Sequence, residues 1–550
     1  MNRRRSAARP LIATAAIALA VLPIRGFAQE LRGAIRDSAS RRPIAGAVLL
    51  LLDSAGTTLG RNITNEGGEY RIALVPAIRS MRVQRIGFRP RTVTIPRVES
   101  GVTNLDVSML ALPTFLEPVK VVDRLNCPKR SDAAISLALW DQARAALLAT
   151  VVAREANPAI VVRLRFDRRM DRARILEQSI RADTASTARP FVAARLAAEF
   201  VNQGFLVDSA GRAVLAAPDA DVMLDDAFGA GYCFRIAAAD SSHPHEIGLA
   251  FSPASLKRGR IDINGALWID STTRSLTRLE YHYLGLDSRI AAFNPGGRVE
   301  FRPMPNGSSM IDRWFIRVVG VDSTISKFDQ RRGVGLEAHE VGGEIAQATW
   351  PDGKTWHASL GAVRGRVAYR DTNSTRVTLE LFGTTYKVAV DSTGSFEIAD
   401  LLPGPYQIVA IDPRLSELGI MLKTGVGFTA ERDSTTTLLV EIPSAEEYVE
   451  ALCDEKPGPN TGTFLLRVNF PDGTPARKAR VVMHPVRDNN VNHVIRVETD
   501  DRGLTRVCNA PQSLKLEVRA SADGNLSAIG VREIDSRLAT MILQLKPTSP

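Results

Sequence analysis

Three stretches of this chain repeat one short pattern. Asn65-Glu66-Gly67-Gly68-Glu69-Tyr70 is followed by Leu74 and Pro76, and Asp391-Ser392-Thr393-Gly394-Ser395-Phe396 by Leu402-Pro403-Gly404. A third copy, Asp500-Asp501-Arg502-Gly503-Leu504-Thr505, is followed by Pro511. Each lies between strand-like segments. Glycine reaches backbone conformations that strain other residues, and Asn or Asp side chains close tight turns onto nearby amides. Each copy therefore reads as a turn joining two strands, and the repetition predicts several small β-sandwiches. It names neither a ligand nor a reaction.

The segment from Met1 to Ala28 has the three parts of a secretory signal: Arg3, Arg4 and Arg5, an apolar run from Leu11 to Ile24, and the small residues Gly26 and Ala28 flanking Phe27. Cleavage is expected after Ala28, and no cysteine follows that would carry a lipid. The signal holds five arginines and no acid, so its removal takes the formal charge from +10 to about +5. So mild an excess on a chain this long does not argue for nucleic acid. The other apolar stretch, Ala133 to Ala153, carries Asp141, Gln142 and Arg144 at its centre and reads as a core helix, not a membrane span. No transmembrane span is expected in the mature chain.

Val48 to Leu52 is a continuous apolar run, as in a strand buried on both faces, and Tyr70, Ile72 and Leu74 alternate with polar or small residues. Together with Gly33-Ala34-Ile35, Pro43-Ile44-Ala45-Gly46-Ala47-Val48, the Gly68-Glu69-Tyr70 turn and Ile86-Gly87-Phe88, this stretch resembles carboxypeptidase regulatory-like domains. The resemblance implies a seven-stranded transthyretin-like sandwich, also described as a carbohydrate-binding-like fold, of a kind that often precedes TonB-dependent outer-membrane receptors. Leu112 to Val122 looks like the connector that follows such domains. The plug and barrel of a receptor do not follow it, because the serial alternating segments of a barrel are missing.

The middle of the chain reads as α+β. Asp132 is a candidate N-cap for a helix in which Ile135, Leu139, Ala143, Leu147 and Val151 recur every four residues. A second helix is expected over residues 190–201, and strands dominate afterwards. Gly265 to Asp270, Thr273, Leu276 and Leu279-Glu280-Tyr281 resemble the strand-turn-strand signature of periplasmic lipoprotein-carrier-like half-barrels. Ser444-Ala445-Glu446-Glu447 is a capping-box signal for a short helix ending near Cys453. The last module departs most from the family pattern, with Leu504 and Thr505 at the turn.

The expected fold is therefore mainly β, with three transthyretin-like or Ig-like sandwiches flanking a central α+β domain. The expected domains are a signal at 1–28, a regulatory-like sandwich at 29–111, a linker at 112–124 and the central domain at 125–358. A second sandwich follows at 359–442, a helix and linker at 443–460 and a third sandwich at 461–550. Four cysteines, an even number, suggest disulfides in an exported protein, with three possible pairings. Proximity favours Cys127 with Cys233 and Cys453 with Cys508.

No constellation of residues names a reaction. His243-Pro244-His245-Glu246 is the best metal candidate, but its spacing matches no helical zinc motif and a loop explains it. Glu337-Ala338-His339-Glu340 reads as strand alternation. Gly333-Val334-Gly335 and Gly425-Val426-Gly427 open no helix in a strand-helix-strand unit, and there is no P-loop or nucleophile elbow. Asp219, Asp221, Asp225 and Asp226 lack the glycine-centred loop of a calcium hand and read as a turn and helix start. Trp268 and Phe301 fall on core positions, so sugar-stacking aromatics are not evident. No catalytic residue, metal or cofactor is assigned.

Two arginine strips remain. Arg79, Arg82, Arg85, Arg89 and Arg91 lie in the first module; Arg163, Arg165, Arg168, Arg169 and Arg172 lie in the central region. Guanidinium suits phosphate and carboxylate. The sequence thus predicts a non-enzymatic, exported protein of the periplasm or outer membrane, whose sandwiches dock on an envelope glycan, lipid or protein. A carbohydrate- or lipid-binding protein and an unrecognised hydrolase are the alternatives.

Overall fold

The computed structural model describes residues 29–96, 101–112, 130–171, 174–187, 197–209, 212–218, 220–238, 240–304, 308–321, 336–369, 377–420, 425–453, 458–486 and 494–548. The expected signal, the 112–124 connector except Leu112, Cys127 and Arg172 lie outside them. The chain divides into two compact units, one holding the first sandwich and the other the remaining sheets. It is mainly β, as the alternation predicts.

Each repeated turn folds the same way. Gly68, Gly394 and Gly503 have φ of 73°, 79° and 70°. The carboxylate or amide oxygen three positions earlier accepts from the amide after the glycine: Glu69 N to Asn65 Oδ1 at 2.9 Å, Ser395 N to Asp391 Oδ1 at 2.8 Å, Leu504 N to Asp500 Oδ1 at 2.9 Å. The glycine carbonyl then accepts from the first strand of its own module, from Ile35 N, Val367 N and Val468 N at 2.7–2.8 Å. The turn is therefore a clamp on the sandwich edge as well as a reversal.

The sheets around the three clamps share one topology. In the first module Gln29–Asp37 pairs antiparallel with the post-turn strand Glu69–Leu74 and parallel with Val102–Asn104 and Val107–Met109. Gly361–Tyr369 does the same with Ser395–Leu401 and Thr435–Ile442, and Thr461–Asn469 with Leu504–Pro511 and Leu538–Gln544. The opposing sheets run Thr58–Ile63, Val48–Leu52, Ser80–Gln84, Arg91–Thr94 in the first module, and Lys387–Ala389, Thr378–Leu381, Gly404–Ile411, Gly425–Ala430 in the second. In the third they run Ile495–Glu498, Arg480–Pro485, Lys515–Ala522, Leu526–Glu533, with Lys546–Pro547 at the rim.

The third module keeps more of the first than its turn residues suggest. Thr64 and Thr499, each immediately before the clamp, are buried and bridge one loop. Thr64 Oγ1 donates to Ile44 O and accepts from Ala47 N, and Thr499 Oγ1 donates to Ala476 O and accepts from Ala479 N. In the second module Val390 stands at that place. A buried hydroxyl with both its donor and acceptor satisfied specifies the loop.

An alanine scan of the clamp glycines should separate the copies. An added Cβ would sit 2.7 Å from Ile35 O at Gly68 and 2.6 Å from Val468 O at Gly503, but 3.2 Å from Val367 O at Gly394. Left-handed backbone alone costs a side chain about 1–3 kcal/mol. Gly68→Ala and Gly503→Ala are expected at or above the top of that range and Gly394→Ala near its bottom, read by denaturant unfolding.

The chain between the first and second sandwiches forms a large open antiparallel sheet and a small hairpin, Leu206–Ser209 with Arg212–Leu215. The order of the large sheet is Ile175–Ser186, Ile160–Met170, Leu336–Thr349, Ser309–Val321, Gly296–Pro303, Ser275–Leu284, Asp262–Asp270, Glu246–Pro253, Tyr232–Ile236, with Thr355–His357 added beside Leu336–Thr349. The helix Arg130–Ala156 packs across it, and Leu139, Trp140, Leu147, Val151 and Val152 are buried. Trp140 stacks on Phe234 at 4.2 Å, and Phe228 on Tyr232 at 4.1 Å. Asp132 lies inside this helix, which is already formed at Arg130, and so is not its N-cap. The second expected helix is described from Ala197 to Gln203. Among the described residues no helix is long and apolar enough to cross a membrane.

Two local expectations are met at the module joints. Ser444 and Glu447 form a reciprocal capping box on the helix Ala445–Leu452. Cys453 at its end is bonded to Cys508, with Cα atoms 6.2 Å apart. Cys233 is also disulfide-bonded; Cys127, the partner expected from proximity, lies outside the described residues.

Candidate functional site

Strand alternation gives the large sheet two chemically different faces. One carries Leu249, Phe251, Leu267, Leu279 and Tyr281, all buried. The other carries a ladder of opposite charges set face to face by register: Glu280 opposite Arg298, Glu300 opposite Arg313, Arg313 opposite Glu344, and Glu340 between Arg317 and Arg168. Opposite charges directly across a strand pair stabilise it.

The second sandwich sits on that charged face. Arg168, 1% exposed, donates to Gln178 Oε1 at 2.6 Å, Glu340 Oε1 at 3.2 Å, Pro403 O at 3.0 Å and Tyr406 Oη at 3.3 Å. Arg313 also donates to Pro403 O, at 3.2 Å. Arg432 of the sandwich pairs with Glu344 at 2.6 Å and with Asp312. Burial pushes the Glu344 carboxyl up, against the pull of Arg432 and Arg313. Met170, Ile175 and Ala338 of the sheet share one apolar core with Leu379, Leu401, Tyr406 and Ile408 of the sandwich. The Leu402-Pro403-Gly404 segment is thus a docking element.

The sequence candidates distribute as follows. His243 holds Asp240 at 2.8 Å, and this contact holds the Asp240 carboxyl below its usual range. Glu246 is taken by Arg278, whose guanidinium also reaches Asp240 at 2.6 Å and lies 4.6 Å from the centre of the Trp268 ring. The two histidines and the acid therefore do not converge, and no group of three metal-ligating side chains occurs among the described residues. Glu337 pairs with Arg169. Asp225 caps the helix Asp226–Gly231, and Asp226 pairs with Arg144 at 3.1 Å. Asp219 and the Asp221 side chain lie outside the described residues, as do Gly333 to Gly335. Gly425 and Gly427 are strand residues. Trp268 and Phe301 are 7% and 8% exposed, not stacking platforms.

The central arginine strip is consumed by structure. Arg163 binds Asp183 at 2.7 Å and holds its carboxyl low, Arg165 lies 3.7 Å from the same acid, and Arg169 bridges Glu177 and Glu337. In the first module the strip divides. Arg79 donates to Pro76 O and Ile78 O, Arg85 to Ala45 O, and Arg91 to Ser108 O. Arg82 and Arg89 are exposed, and their side chains bond to no described residue.

Register adds a residue that the linear reading missed. Leu50 lies opposite Arg61 on one side and Arg82 on the other, and Arg82 opposite Thr92. Arg61, Leu50, Arg82 and Thr92 therefore form one row across the outer face of a four-stranded sheet. Strands lie about 4.7–4.9 Å apart, so the two arginine backbones are roughly 10 Å apart. Arg61 is exposed and its side chain has no bond to any described residue. Positions 29–111 hold twelve arginines, no lysine and seven acids, whereas positions 112–550 hold 53 basic and 53 acidic side chains. Beyond Ala28, the whole charge excess resides in this sandwich.

Residues 30–110 match the model of the carboxypeptidase regulatory-like domain. That span coincides with the sandwich bearing the arginine row. No curated protein matches the chain by sequence. Among solved structures, the Bacillus anthracis TIE protein is 11% identical over 62% of this chain and 64% of its own, with a TM-score of 0.15. The Lactobacillus rhamnosus GG shaft pilin SpaA is 8% identical over 35% of this chain and 100% of its own, at 0.14. GBS52, the minor pilin of Streptococcus agalactiae, is 12% identical over 34% and 98%, at 0.13.

Proposed function

We propose that this is a non-catalytic, exported envelope protein whose regulatory-like sandwich holds an anionic envelope component against the Arg61–Leu50–Arg82–Thr92 row. The observation that carries the reading is the concentration of charge: the excess lies in one module, and two arginines of one sheet row are exposed with no side-chain bond to any described residue. Guanidinium presents a planar fork of donors that matches phosphate and carboxylate oxygens. The secretory pattern from Met1 to Ala28 and the Cys453–Cys508 bond fit an oxidising compartment. In this reading the second sandwich is a structural part of the central sheet, because Arg168 and Arg313 of the sheet and its own Arg432 bind the two together.

Exposed charges are screened over about 10 Å at 0.1 M salt. Association of the purified protein with isolated envelopes is therefore expected to weaken steeply as salt rises through that range. Association indifferent to salt would contradict the reading.

A further inference from the structure

The three sandwiches provide an internal comparison of their outer strands. In the first, the outer strand Arg91–Thr94 turns Thr92 and Thr94 outward. In the second, Gly425–Ala430 packs Val426 and Phe428 inward and leaves Gly427 and Thr429 exposed. Both edges are short and carry no exposed large apolar residue. The corresponding strand of the third differs from these two. This strand, Leu526–Glu533, has eight residues, with Ile529 62% and Val531 49% exposed. Lys546–Pro547 covers only Leu526 and Ser527 on the outer side, and Thr548 N donates to Asn525 O at 2.8 Å just before them. From Ala528 to Glu533 no described strand pairs with that edge.

An open strand edge presents unpaired N–H and C=O groups to another strand, and natural edges are usually shortened or charged to prevent this. We infer that this edge pairs with the same edge of a second copy of the chain, antiparallel and centred on Gly530. The sequence is self-complementary in that register. Ile529 falls opposite the second copy's Val531 and Val531 opposite its Ile529, with Ala528 facing Arg532, and the pairing stops short of Ser527, whose outer side Lys546 holds. Centring on Ile529 instead sets Val531 against Ser527, and centring on Val531 sets Ile529 against Glu533. Only the Gly530 centre places both β-branched residues against each other, the cross-strand pairing that sheets favour. Gly530 itself is fixed from within, since a Cβ there would lie 2.0 Å from Met541 Cε.

The test is analytical ultracentrifugation of the purified full chain across a concentration series, beside the double variant I529K/V531K. The wild type is expected to shift from monomer to dimer with concentration, and the variant to remain monomeric with an unchanged thermal midpoint, both side chains being outward. Register is tested with the single variants I529C and V531C. Oxidation of their mixture should give a cross-linked dimer well above that of either variant alone. A wild type that is monomeric throughout overturns the inference. So does a dimer that survives I529K/V531K, or cross-linking no greater in the mixture than in the single variants.

Discussion

Replacing Arg168 with Met is expected to destabilise the second compact unit by about 3–5 kcal/mol, the usual cost of removing one partner from a buried ion pair. The side chain of Glu340 is 4% exposed and would lose its buried partner, with Arg317 left at 2.8 Å. Gln178 Oε1 would lose its 2.6 Å donor and keep Tyr406 Oη at 3.4 Å, and the Pro403 carbonyl would keep Arg313 at 3.2 Å. Two controls separate this mechanism from general damage. Arg163→Met breaks a half-exposed pair with Asp183 and should cost no more than about 1 kcal/mol. Adding Glu340→Leu to Arg168→Met should recover part of the loss, since the stranded charge is then gone. Denaturant unfolding of all four proteins measures each difference. Equal losses for Arg168→Met and Arg163→Met would remove the network from the account of how the sandwich is held.

The second large effect is expected at Cys453–Cys508. The bond closes a loop of sequence separation 55, for which the chain-entropy account gives about 4 kcal/mol of stabilisation, within a measured range of about 0–5. Its removal should also loosen the joint between the second and third sandwiches. Leu415 and Leu418 after one sandwich edge, Val449 of the connecting helix, and Leu465 and Leu538 of the third sandwich form one buried cluster around Cys453. Cys453→Ser with Cys508→Ser should therefore lower the unfolding midpoint of the third sandwich far more than that of the first. A uniform small shift would show the joint to be held by packing alone.

The turn clamps and capping box were legible because their causes are local. A glycine at positive φ, an Asn or Asp three positions before it, and a Ser with Glu three positions on are all written within one short stretch. The kinship of the third module was harder to see, since its turn carries Leu504 and Thr505. Its better signal was the threonine before the clamp, Thr499 as Thr64, together with Pro475 and Ala479 placed as Pro43 and Ala47. The fate of the arginines was not legible at all. Arg163, Arg165, Arg168 and Arg169 look alike in sequence, and of these Arg168 alone is buried, because the sandwich that contributes Pro403 and Tyr406 covers that face of its strand. Arg61 and Arg82 stand on different strands and share a row only because both strands pair with Val48–Leu52. The metal candidate failed for a similar reason: Arg278, on another strand, takes up Glu246 and helps hold Asp240.

The measurement that bears most directly on the account is envelope binding by the double charge reversal R61E/R82E, at low salt and beside the wild type. Both residues are exposed and their side chains bond to no described residue, so the variant should keep the wild-type thermal midpoint while its association with isolated envelopes is lost. Undiminished binding by a folded variant would contradict the account and move the docking surface away from the first sandwich.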